Sequence, residues 1–221
     1  MRSILAVLVA AGTLACSSPS ADQAPKSVAP PKDAANPVSR LPDGWKARLD
    51  DPNTKDTGTV QMEKDAIVFA GGPGGIYYKP DVKAEKDYTV IAAFTQQKTL
   101  PAPQPYGLFV SGTDLDKDTC RYTAFLVRQD GMYQIVSRNG GKDTVVVDWR
   151  VATAMREPKG VKPTNTLEIR AMQDAVHFLI GDKEVHQMPR GKVGPDGIAG
   201  VRLGPGLNVQ VTRLEIKKFP E

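Results

Sequence analysis

Only two cysteines and two histidines occur in the 221 residues, and aromatic side chains make up just 6%. The histidines, His177 and His186, are isolated, which argues against the clustered ligand set that zinc hydrolysis needs. Cys120 has no histidine near it in sequence and reads as a small packing residue. No basic run carries interleaved aromatics, and the net charge of +4 is small and dispersed, so the footprint of a nucleic-acid binder is lacking. The run Gly71, Gly72, Pro73, Gly74 and Gly75 is followed by neither a Lys-Ser/Thr pair nor a helical pattern, so a flexible loop is expected there instead of a phosphate cradle. From Leu41 onward no amphipathic helical period is found.

What is present begins with an address. Met1, Arg2 and Ser3 form a short cationic start, and residues 4–14 are almost unbroken apolar. That run is too short for a membrane span, which needs roughly 20 residues, and fits the apolar core of a secretory signal over residues 1–15. It ends in Thr13, Leu14, Ala15 and Cys16, which resembles the bacterial lipobox: small or apolar residues, then a cysteine whose thiol takes a diacylglyceryl group. Thr13 departs from the usual leucine at its position. The alternative is an ordinary signal peptide cut a few residues later, with Cys16 discarded. Ser17, in place of aspartate, resembles the sorting preference for the outer membrane, facing the periplasm or the surface. Residues 16–40 are rich in Ser, Ala, Pro, Lys and Asp. With so little apolar surface to offset the entropy of ordering, they are expected to form a disordered tether.

Residues 41–221 read as strands throughout. Short alternating or apolar runs are separated by closely spaced turn residues, as in a sandwich or barrel. One hairpin is registered around Gln173 and Asp174, with Leu167, Ile169, Ala171, Val176, Phe178 and Ile180 on a core face and Glu168, Arg170, His177 and Leu179 opposite. A second is registered around a two-residue turn at Asp130 and Gly131. That register places Gln134 opposite Val127 and Arg138 opposite Thr123, so that Arg121, Gln134 and Arg138 share one face with Phe125. Further strands are expected at 60–62, 66–70, 75–79, 88–95, 106–111, 144–149, 198–203 and 207–216, with a first strand opening at Trp45. The apolar parity Val209, Val211, then Leu214, Ile216 predicts a β-bulge near Thr212 and Arg213.

The segments 165–171 and 176–185, the ending 197–204 with 208–216, and the upstream runs 106–115 and 122–131 together resemble concanavalin A-like and laminin-G-like sandwiches. Their nearest resemblance is to the 3-keto-disaccharide hydrolase-like domain of bacterial exported proteins. The likeness covers roughly residues 41–218 and rests mainly on core and turn positions. It implies an all-β, two-sheet antiparallel jelly-roll sandwich, with one concave sheet on which sugars commonly bind. Family 16 glycoside hydrolases, which use such a sandwich, carry Glu-x-Asp-x-Glu on one strand; that run does not occur here.

The leading functional expectation is therefore a tethered glycan-binding module without a catalytic motif. Its ligand-binding candidates are Arg121, Gln134 and Arg138, planar or forked donors suited to sugar hydroxyls, with Trp149 as a stacking or core aromatic. The alternatives are a hydrolase of 3-keto-glycosides and a structural envelope protein with no small ligand. Asp114, Asp116 and Asp118 alternate like the acids of a calcium loop, but no central glycine or closing glutamate follows, so a solvated acidic turn is the competing reading. No other cofactor is expected. The lipid anchor predicts that Cys16→Ser releases the protein from membranes and abolishes metabolic labelling with palmitate, whereas wild type is labelled and sediments with membranes.

Overall fold

A computed structural model describes residues 38–39, 41–55, 58–155, 162–194 and 196–219. The expected signal segment, Cys16 and almost all of the expected tether lie outside these residues; Val38–Ser39, within the stretch expected to be disordered, instead form a short strand. The described strands are β1 (Val38–Ser39), β2 (Lys46–Leu49), β3 (Gly58–Glu63), β4 (Ala66–Gly71), β5 (Gly75–Ala84), β6 (Tyr88–Gln96), β7 (Tyr106–Thr113) and β8 (Arg121–Val127). They continue with β9 (Met132–Asn139), β10 (Lys142–Val151), β11 (Thr164–Ala171), β12 (Ala175–Ile180), β13 (Lys183–Pro189), β14 (Gly197–Leu203) and β15 (Asn208–Lys218). One 3-10 turn, Arg190–Lys192, follows β13.

The strands form two sheets, with orders β1-β3-β4-β15-β6-β11-β12-β13 and β10-β9-β8-β7-β14-β5-β2. Pairing is antiparallel except between β1 and β3. The chain is an all-β jelly-roll sandwich, as the alternation implied. Its core lies between the sheets, where Phe94, Tyr106, Phe125, Ile135, Leu167 and Phe178 are all fully buried. Phe125 and Phe178 meet edge to face across the sheets with centroids 5.3 Å apart.

All eight of the further strands expected from alternation are present. The β11–β12 hairpin has the expected register, Leu167 facing Ile180 and Ile169 facing Phe178, closed by Met172 N–H donating to the Ala175 carbonyl at 2.8 Å. The bulge in β15 falls between Thr212 and Glu215, where Arg213 takes a φ of 54°. β13 went unread because it is an edge strand with one buried side chain, Met188; its other residues carry no apolar alternation.

Two expectations are corrected. The run 71–75 is not a free loop but the held crossover from β4 to β5. Gly71 N–H donates to the Leu207 carbonyl, Gly206 N–H to that of Gly72, and Asp50 N–H to that of Gly74. The register of the β8–β9 hairpin is also shifted. Val127 faces Tyr133 and Arg128 N–H donates to the Met132 carbonyl at 2.9 Å, so the loop holds three residues, Gln129, Asp130 and Gly131, with Gly131 at φ 79°. A left-handed glycine at the third position is the usual geometry of a three-residue hairpin. One extra loop residue moves each side chain of β9 to the other face.

Phe178→Ala should lower the unfolding free energy by about 3–5 kcal/mol, the cost of emptying a fully buried aromatic site. Urea denaturation followed by circular dichroism measures it.

Candidate functional site

The shifted register decides which residues meet. Gln134 faces Leu126, and Arg138 faces Tyr122, so both side chains lie on the outer face of the seven-stranded sheet, away from the core. Arg121 pairs with Asn139 and shares the parity of Thr123 and the core residue Phe125, so it lies on the opposite face at the sheet end. The expected trio is therefore divided by face, Gln134 and Arg138 on one and Arg121 on the other, although Arg121 and Arg138 border one cavity at the sheet end.

On the outer face the ladder produces rows of side chains running across the strands. The first row reads Arg48, Ile76, Arg202, Gly107, Leu126, Gln134. The second reads Lys46, Tyr78, Gly200, Phe109, Ala124, Val136, Val145. The third contains Tyr122, Arg138 and Asp143. Gly107 lets β7 and β8 approach closely in the first row, since a Cβ there would lie 2.0 Å from the Phe125 carbonyl oxygen. At the usual strand spacing, Arg202 and Gln134 stand about 14 Å apart across the sheet.

The floor is a second apolar cluster, separate from the inter-sheet core: Ile76, Tyr78, Phe109, Leu115, Tyr122, Ala124 and Leu126 are all buried, with Trp149 packed against them. Phe109 lies 5.4 Å from Tyr122 and 6.5 Å from Tyr78, centroid to centroid. Gly200 makes this possible, since a Cβ there would come within 2.7 Å of the Phe109 ring and 2.5 Å of the Tyr77 carbonyl. Burial holds the Tyr78 and Tyr122 phenols above the ordinary tyrosine range.

Around this floor stand four arginine–aspartate pairs. Arg202 reaches Asp50 at 2.7 Å, Arg138 reaches Asp143 at 3.1 Å and Arg48 reaches Asp118 at 3.4 Å. Arg128 grips Asp130 with both nitrogens of its fork, at 3.1 and 2.7 Å, and lies 4.2 Å above the Trp149 ring. One face of Trp149 is thus covered by a guanidinium, an arrangement that rigidifies both groups. Gln134 is 9% exposed and its amide makes no hydrogen bond to the described residues.

The acidic triplet does not converge. Asp114 accepts from Lys117 at 2.8 Å, which holds its carboxyl below the usual range; Asp118 turns to Arg48. Among the described residues no three acidic, histidine or cysteine side chains form a metal-ligand group. His177 pairs with Glu184 at 2.7 Å on the exposed face, opposite Arg170 as expected. Cys120 is a buried thiol beside the Gly140 carbonyl. Arg48, Arg128 and Arg202 were not found from sequence. Arg202 and Asp50 are far apart in the chain, and nothing in local spacing announces their contact.

Neither a family model nor a curated protein matches the sequence. Solved structures do match in fold. The carbohydrate-binding module CBM66 from Bacillus subtilis aligns with a TM-score of 0.58 at 12% identity, over 79% of this chain and 96% of that one. A Bacillus subtilis protein of unknown function with a galectin-like fold gives 0.56 at 10%, over 78% and 88%. A glycosidic hydrolase gives 0.51 at 12%, over 80% and 90%. The protein is a concanavalin A-like sandwich, as the sequence resemblance implied; the narrower likeness to the 3-keto-disaccharide hydrolase-like domain has no matching family model behind it.

Gly200→Ala should destabilise the domain by roughly 1–3 kcal/mol, because the added methyl must displace the Phe109 ring or the Tyr77 strand. Thermal unfolding against wild type checks this.

Proposed function

We propose that the domain is a glycan-binding module whose ligand lies along the outer face of the seven-stranded sheet. The observation that carries this reading is the set of arginine–aspartate pairs and the unengaged Gln134 amide arranged around an aromatic floor. Sugars present hydroxyls that both donate and accept, beside apolar ring faces. A guanidinium paired with a carboxylate offers a donor and an acceptor in fixed geometry, and little ordering is left to do on binding. The fold neighbours include a carbohydrate-binding module, which supports the same reading.

A glycosidic hydrolase shares the sandwich, so the fold is compatible with catalysis. Hydrolysis requires two carboxyl groups facing each other across the scissile bond, one of them serving as acid. Asp50, Asp118, Asp130 and Asp143 each accept from an arginine instead, which favours recognition over turnover. We further propose that the module is exported and held at the cell envelope through a lipid on Cys16, the tether giving it a reach of roughly 25–30 Å.

The test is a glycan-binding screen of wild type and the Gln134→Ala, Arg138→Ala double variant, run beside a hydrolysis assay on 3-keto-glycosides. Affinity should fall about ten- to hundred-fold in the variant, the worth of one or two charge-assisted hydrogen bonds, with no turnover by either protein. Turnover by wild type would make the protein an enzyme, and absence of binding to every glycan would leave a structural envelope role.

A further inference from the structure

The interior parity of β8 and β9 changes character toward one end of the sandwich. Phe125 and Ile135 are fully buried core residues, yet the next positions on the same side are Thr123 and Ser137, then Arg121 and Asn139. Here they line a cavity of about 420 Å³, closed by the β13–β14 crossover through Gly191, Lys192 and Val193. Thr123 Oγ1 donates to the Val193 carbonyl at 2.7 Å and holds that crossover in place.

Three features of the lining point to a ligand. Arg121 and Lys192 form no ion pair among the described residues; Asp114, the carboxylate in the lining, is held by Lys117 and interacts with Arg121 only at longer range. Ser111 is only 3% exposed and takes a φ of 59°, which a non-glycine residue adopts at a cost. Its Oγ, beside the Tyr88 hydroxyl, is a buried group without a well-formed hydrogen bond. Arg138 borders the cavity, and its side chain runs toward Asp143 and Cys120.

We propose that this cavity receives an acidic substituent of the bound glycan, a carboxylate or a sulfate ester, so that the module selects acidic over neutral glycans. The inference rests on the glycan-binding reading above. Arg121 and Lys192 outnumber the one lining carboxylate, which Lys117 already holds, and supply the attraction; the serine hydroxyl and Asn139 amide supply neutral donors to the remaining oxygens. Arg138 links the two regions: it lines the cavity and stands on the outer face four residues along β9 from Gln134, about 13 Å away. A glycan chain running along the face reaches the cavity by turning over the sheet end beside Arg138.

The experiment compares binding of oligogalacturonate with its methyl ester, and of a sulfated oligosaccharide with its desulfated form, for the full-length protein and an Arg121→Gln, Lys192→Gln double variant. Wild type should prefer one acidic probe over its neutral counterpart by at least about tenfold at low salt. The preference should shrink as ionic strength rises and vanish in the double variant, with Ser111→Ala weakening it separately. The pair that shows the preference identifies the substituent. Equal affinity for acidic and neutral forms, or a preference that survives the double variant, overturns this inference while leaving glycan binding intact. Failure of every probe to bind overturns both.

Discussion

The contact between Phe125 of β8 and Phe178 of β12 joins the two sheets at the centre of the sandwich. Both rings are inaccessible to water, and each belongs to a hairpin whose alternation sends every second residue to the same side. Once these two rings are inside, parity assigns the rest. Val127, Tyr133 and Ile135 follow Phe125 inward, and Leu167, Ile169 and Ile180 follow Phe178. Everything of the other parity on β8 and β9 is committed to the outer face. A site on that face is the complement of the core, set by the same constraint.

The outer face differs from an ordinary wet sheet in having a buried apolar layer of its own. Glycines at 107 and 200 are the reason: one lets β7 and β8 approach closely, the other lets Tyr78 and Phe109 close over the strand between them. The connection from β7 to β8 adds Leu115 and places Asp118 against Arg48 of β2. Arginines then surround aromatics, with aspartates fixing their direction. Recognition sites gain from such preorganisation because the entropy of ordering long side chains has already been spent in folding.

The sandwich end obeys a different logic. There the interior parity continues past the last apolar layer into hydroxyls, an amide and cations around a cavity. Ser111 is buried beside the Tyr88 hydroxyl in a left-handed conformation, and strain of that kind is tolerated where surrounding structure holds it in place. The outer face and the end cavity share Arg138 and Tyr122, so two chemically distinct regions, one suited to hydroxyls and one to anions, adjoin on a rigid scaffold.

Alternation, turn residues and the absence of helical periods were enough to read an all-β sandwich, thirteen of its strands, the β11–β12 register and the β15 bulge, because each of these is a local property of the chain. The lipobox-like cysteine and the proline-rich stretch after it are equally local signals. Strand β13 escaped because an edge strand with one buried residue leaves no pattern. The site was only half legible. Gln134, Arg138 and Trp149 do belong to one face, but Arg121 was placed with them by a hairpin loop counted one residue short. A turn of two residues and a turn of three are both compatible with Asp130-Gly131, and only pairing with the rest of the sheet chooses between them. The pairs of Arg202 with Asp50 and of Arg48 with Asp118, and the meeting of Ser111 with a cavity formed by a distant crossover, depend on which strands are neighbours. Local sequence sets which way a side chain alternates; the tertiary structure alone decides what it alternates toward, since strand order brings together residues that no spacing relates.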